Sequence, residues 1–184
     1  MRRVRPSVAP IVARGIMASF KLISATPVPV EYIANTKFAI LYERWNQLRG
    51  ARRMPAEFDL SSGEFEPIMG RIHVVAVEGP KRFRFRRYGT RTTNPDRADM
   101  TGKTTLDFQS QEYANTVTEQ YEQVRQSGAP SLYAIEGLAN DRPYRYARLT
   151  LPVSRNGTDV STLIIASLRI EVSTQFDRWG PLEL

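Results

Sequence analysis

The chain has 184 residues, 41% hydrophobic and 24% charged, which is enough for one core and too apolar for wholesale disorder. It contains no cysteine and a single histidine, which excludes disulfides, thiolate zinc sites, iron–sulfur clusters, cysteine nucleophiles and histidine-rich metal centres. Lysine and arginine outnumber aspartate and glutamate by 26 to 19, a net charge of +7, but Arg2, Arg3, Arg5 and Arg14 supply more than half of that excess before Met17. The basicity is largely a leader effect, and the remainder argues only weakly for a nucleic-acid partner.

Residues 1–34 read as a flexible or extended arm punctuated by Pro6, Pro10, Pro27 and Pro29. The basic start has the form of a secretory signal, but Arg14 cuts its short apolar stretch, so a tail, or a true start at Met17, is the simpler reading. From Asn35, a candidate cap, the spacing predicts an amphipathic helix: Phe38, Leu41, Trp45 and Leu48 form its stripe and Gly50 is its stop. Ser61-x-x-Glu64 has the form of a capping box, limited by Gly63 and Pro67 to a turn or two.

Two strands follow, 72–77 and 83–88, joined at Gly79-Pro80. The second alternates Phe83 and Phe85 with Arg82, Arg84 and Arg86, so the rings point to a core and the arginines away from it. Asn94-Pro95-Asp96 and Thr101-Gly102 mark turns in a long connection. The second helix carries Tyr113, Val117, Tyr121 and Val124 on its buried stripe, with Ser110 as cap and Gly128 as stop. Three more strands, 132–138, 144–153 and 160–170, are joined at Asn140-Asp141 and at Asn156-Gly157, the latter a strong hairpin signal. The order of elements predicts an α+β domain with one antiparallel sheet of five strands and helices packed on a face. No run of about 18 uncharged apolar residues suggests a membrane span.

The motifs with chemical overtones are weak. Gly102-Lys103-Thr104 lacks the earlier glycine of a phosphate loop, since Arg97 stands there. His73 has no metal-ligand or catalytic partners at a recognisable spacing and reads as a structural histidine. Scattered acids nominate no acid–base pair. Asn156-Gly157-Thr158 matches a glycosylation sequon and reads as a hairpin turn. Arg82, Arg84 and Arg86 form a candidate anion patch, but alternation separates them from the rings that a base-stacking platform would need.

Four segments in order resemble small bacterial single-PAS-domain proteins: YERWNQLRGARRMPAEFDL at 42–60, IHVVAVEGPKRFRFRRYGT at 72–90, DMTGKTTLDF at 99–108 and RYARLTLPVSRNG at 145–157. Glu57 and Ser61 depart from the residues frequent there. The resemblance implies a PAS-like sheet in order 2-1-5-4-3, helices over one face, an N-terminal flanking helix, and a cytoplasmic sensory or regulatory module. It names no cofactor and no ligand. The expected division is an arm at 1–34, a PAS-like domain at 35–172 and a tail at 173–184.

The expected function is therefore a non-enzymatic sensory or regulatory module acting through a small apolar or amphipathic ligand, through protein contacts, or both. Candidate pocket walls are Phe83, Phe85, Met100, Tyr121, Leu149, Leu163 and Ile165, with a dry core as the bland alternative. The chain carries no kinase or output segment, so a signalling partner is expected. The stripe of Phe38, Leu41, Trp45 and Leu48 needs cover, and a homodimer with Trp45 buried by the partner is expected to supply it. A basic RNA- or anion-binding protein using strand 81–87 is the alternative.

Overall fold

The computed structural model describes residues 20–91 and 98–169. The leader, the Asn94-Pro95-Asp96 turn, Arg97 and the tail at 173–184 lie outside them. Six strands and two α-helices follow in chain order: β1 (Phe20–Val28), α1 (Ala39–Arg49), β2 (Ile72–Gly79), β3 (Arg82–Arg87), α2 (Gln111–Ser127), β4 (Ser131–Ala139), β5 (Arg142–Val153) and β6 (Thr162–Arg169). They form one antiparallel sheet in the order β1-β4-β5-β6-β2-β3. The last five in that list are the expected 2-1-5-4-3 arrangement, and β6 pairs with both β2 and β5 as a PAS-like sheet requires.

The sixth strand corrects the sequence reading. Residues 20–28 belong to the sheet as an edge strand, paired along β4. A bulge between Leu22 and Ser24 breaks the alternation that would have revealed it. Pro27 looked like punctuation, yet an edge strand tolerates a proline, and Pro29 stands just after the strand ends. The strand is anchored by Phe20, which is buried over Gly137. A Cβ at Gly137 would lie 2.4 Å from the Phe20 ring, so the close approach requires glycine.

The turns follow their residues. Asn140 and Asp141 both take positive φ (51° and 60°), the geometry a two-residue hairpin needs, and link β4 to β5. Helix α2 is capped as its sequence predicts, with Ser110 Oγ accepting from the Tyr113 N–H and Gly128 in the left-handed conformation. Helix α1 begins later than expected. Asn35 ends a 3-10 segment (Val30–Asn35), its side chain lies outside the described part, and Thr36 Oγ1 instead accepts from the Phe38 N–H at 3.2 Å.

The α1 stripe also corrects the interface reading. Phe38, Leu41 and Trp45 are buried within their own chain, and Leu48 is half-buried. The Trp45 indole N–H donates to the Pro152 carbonyl at 2.7 Å. Pro152 is tolerated in β5 because the β4 ladder ends at Ser131–Thr150, two residues before it. Cover for Trp45 thus comes from β5 of the same protomer and needs no second copy.

Both faces of the sheet are buried along the central strands β5 and β6. Register places Tyr146, Arg148 and Thr150 of β5 on one face with Leu163, Ile165 and Ser167 of β6 and His73 and Val75 of β2. This is the α2 face, because Tyr113 and Gln120 of α2 bond to Tyr146 and Arg148. On the reverse face, Val74, Val153 and Ile164 share a groove with Phe58, so the chain between α1 and β2 covers that side. Among the described residues no helix is long and apolar enough to cross a membrane.

Candidate functional site

β5 runs through the middle of the sheet, and its period-two alternation sends the side chain of Arg148 under α2. Arg148 is 2% exposed. A guanidinium stays protonated in proteins, so this position puts a fixed positive charge between sheet and helix. Its Nη2 donates to Gln120 Oε1 and its Nη1 to the Tyr113 hydroxyl at 3.5 Å, while its Nε finds no acceptor. The guanidinium carbon lies 5.6 Å from the centre of the Tyr121 ring. No carboxylate pairs with it among the described residues.

A cavity of about 20 Å³ opens beside this charge. Tyr113, Tyr121, Tyr146, His73, Ser167 and Arg148 give it a polar lining, and Phe85, Tyr88 and Phe108 complete the wall. The hydroxyls of Tyr113 and Tyr146 lie 2.6 Å apart and share one hydrogen bond. Burial pushes the Tyr121 and Tyr146 phenols well above their ordinary range, so both stay protonated.

His73 is fixed from behind. Its Nδ1 accepts from the Gly89 N–H at 3.1 Å, and its ring stacks on Tyr88 at 4.2 Å. Gly89 is the residue this approach demands, since a Cβ there would meet the Gly70 carbonyl oxygen at 2.4 Å. Burial, reinforced by the Arg148 charge, pulls the His73 pKa from 6.5 to about 3. The imidazole is therefore neutral with its proton on Nε2. The site thus holds one permanent cation and several neutral donors, with no acid among the described residues to balance them.

Of the expected pocket walls, Phe85 and Tyr121 line the cavity. Phe83 packs edge-on to Tyr121 at 5.6 Å behind it, and Leu163 and Ile165 sit on the same sheet face as core residues. Met100 is buried in the connection before α2, away from the lining. Leu149 is a correction: it is one residue out of phase and faces the reverse side of the sheet. The lining is mixed, with hydroxyls, an imidazole and a guanidinium set among the rings of Phe85, Tyr88 and Phe108. Arg148 and Tyr146 were missed, although the alternation of Tyr144, Tyr146, Arg148 and Thr150 against Ala147, Leu149 and Leu151 was a readable signal.

The arginine strand is a salt-bridged outer face. Phe83 and Phe85 are buried, Arg84 clamps Glu78 with two hydrogen bonds at 2.7 and 3.1 Å, and Arg86 lies 3.7 Å from the same carboxylate. Arg82 is exposed beside them. In the Gly102-Lys103-Thr104 turn, the Asp107 carboxylate accepts from the Thr104 N–H and hydroxyl, which places an acid where a phosphate would have to sit.

These elements are a five-strand antiparallel core in PAS order, a helix packed across one face, and a cavity between them. A family model described as a PAS domain matches residues 34–171. No curated protein and no solved structure matches the chain. The family match spans well over half of the sequence, and the chain belongs to the PAS domain family.

Proposed function

We propose that this PAS domain is a non-enzymatic sensory or regulatory module that admits a small polar ligand to the Arg148 cavity and transmits occupancy through protein contacts. PAS domains serve in general as sensory and regulatory modules, and the family's role is typically not catalytic. The observation that carries the reading is a fully buried guanidinium with an unsatisfied Nε beside a polar cavity. A dry core would not retain such a group, because an unpaired buried charge costs several kcal/mol. Output passes to a partner protein or a second copy through surface other than the α1 stripe, which is already buried. The anion-patch reading is disfavoured by the commitment of Arg84 and Arg86 to Glu78.

Protein-observed NMR against a library of small polar compounds tests this. Binding should perturb the amides around His73, Tyr121 and Ser167 ahead of the exposed arginine face. If no compound perturbs them saturably, the module acts through protein contacts alone.

A further inference from the structure

We propose that the cavity binds a small carboxylate, held by Arg148 as counter-charge and by His73 and the Tyr113–Tyr146 pair as hydrogen-bond donors. This rests on reading the cavity as a ligand site and adds the chemistry of what enters it.

Charge balance is the first argument. Arg148 has no acid, and the buried acid of the same layer, Glu122, is committed elsewhere: it accepts from Arg125 at 2.7 and 2.9 Å, from the Lys81 N–H at 2.9 Å and from Gln126 at 3.0 Å. No acid among the described residues neutralises Arg148, so its charge is open to an anion entering the cavity.

Donor count is the second. The Tyr113 and Tyr146 hydroxyls carry two protons and share one hydrogen bond, so the other proton is free to turn toward the cavity. His73 spends Nδ1 on Gly89, which leaves its Nε2–H without a partner among the described residues. Arg148 adds its positive charge at the cavity wall, with an Nε–H that has no acceptor. Such a convergence of donors complements an oxyanion and repels a cation.

Shape and size are the third. The paired N–H groups of a guanidinium match the two oxygens of a carboxylate. A volume of about 20 Å³ suits a group only slightly larger than water. A planar, singly charged carboxylate of one or two carbons matches both the volume and the single positive charge. Tetrahedral phosphate or sulfate is bulkier and more highly charged.

Titration of ¹⁵N-labelled full chain tests the proposal. The Arg148 Nε–H resonance, assigned by its loss in Arg148→Met, and the Gly89 amide behind His73 report on the cavity. The probes are sodium formate, sodium acetate, acetamide and sodium chloride, with ionic strength matched by sulfate. Saturable shifts with formate and acetate are expected, with acetamide and chloride at least tenfold weaker. Gln120→Glu, which supplies a carboxylate from within, should weaken acetate at least tenfold while retaining a dispersed spectrum. Arg148→Met should abolish the acetate response at Gly89. Equal saturation by acetamide would overturn the anion chemistry and leave the ligand site standing. Equal saturation by chloride would overturn carboxylate specificity. No saturable shift with any probe would overturn both the carboxylate and the ligand reading of the cavity.

Discussion

Glu122 on α2 and Arg148 on β5 are both withdrawn from water, at 4% and 2% exposure, yet their surroundings differ in every respect that matters to a charge. Glu122 receives hydrogen bonds from Arg125, Gln126 and the Lys81 backbone, and these, led by Arg125, hold its pKa at about 2 against an ordinary 4.5. Arg148 has a neutral amide, a long contact to a phenol, an aromatic face and an unpaired Nε. The first arrangement is what a charge needs in order to stabilise a fold. The second destabilises the empty fold and is tolerable where an external group completes it. One satisfied charge and one unsatisfied charge are thus both buried, and satisfaction of hydrogen bonds distinguishes them where burial does not.

The largest expected effect comes from breaking the satisfied pair. Arg125→Met should cost about 3 kcal/mol at pH 6, at the lower end for a buried pair because Arg125 itself is 28% exposed. The folded pKa of Glu122 is depressed, so its contribution is complete above pH 4.5 and fades as pH falls toward 2. Urea unfolding at pH 6 and pH 3 should therefore show the variant and the wild type converging in acid.

His73 gives the next effect, and it works on the Arg148 side of the comparison. Its folded pKa is depressed from 6.5 to about 3, so the unfolded chain takes up a proton that the native chain refuses. Stability is full above pH 6.5 and declines below it, by roughly 2 kcal/mol at pH 5. Because the chain has a single histidine, loss between pH 7 and pH 5 belongs largely to this group. His73→Gln, which keeps an acceptor for Gly89, should flatten that part of the profile.

Gln120→Glu turns the unsatisfied charge into a satisfied one. A hydrogen bond between charged partners is stronger than one to a neutral amide, so the substitution should raise stability by about 1 kcal/mol, read as a higher urea midpoint. The smallest change tests the packing of α1. Trp45→Phe keeps an aromatic side chain but loses the indole N–H bond to Pro152, for a loss of about 1 kcal/mol with no change in sedimentation behaviour.

The sequence revealed the fold better than the site, for a physical reason. Capping residues, left-handed glycines and turn residues act locally, so Ser110, Gly128 and Asn140-Asp141 marked their boundaries correctly. Edge strand β1 was hidden because its bulge scrambles the period, and Pro27 with the following Pro29 imitates a linker. In β5 both faces are buried, so apolarity could not say which face α2 covers. Leu149 was read as inward-facing by pattern, and pattern alone does not say which of two buried faces α2 covers. The stripe of α1 was read correctly as buried, but periodicity carries no information about whether the covering surface belongs to the same chain.

The most direct measurement is the stability of a chain in which the unpaired charge and its amide are replaced together. Arg148→Met/Gln120→Leu should unfold at higher urea than the wild type in anion-poor buffer, by roughly 1–4 kcal/mol, as replacement of costly buried charges by apolar groups does. Acetate should stabilise the wild type and leave the double variant unchanged. A double variant less stable than the wild type by more than about 1 kcal/mol, with both indifferent to acetate, would show that Arg148 is a structural residue and contradict its role as a charge held for a ligand.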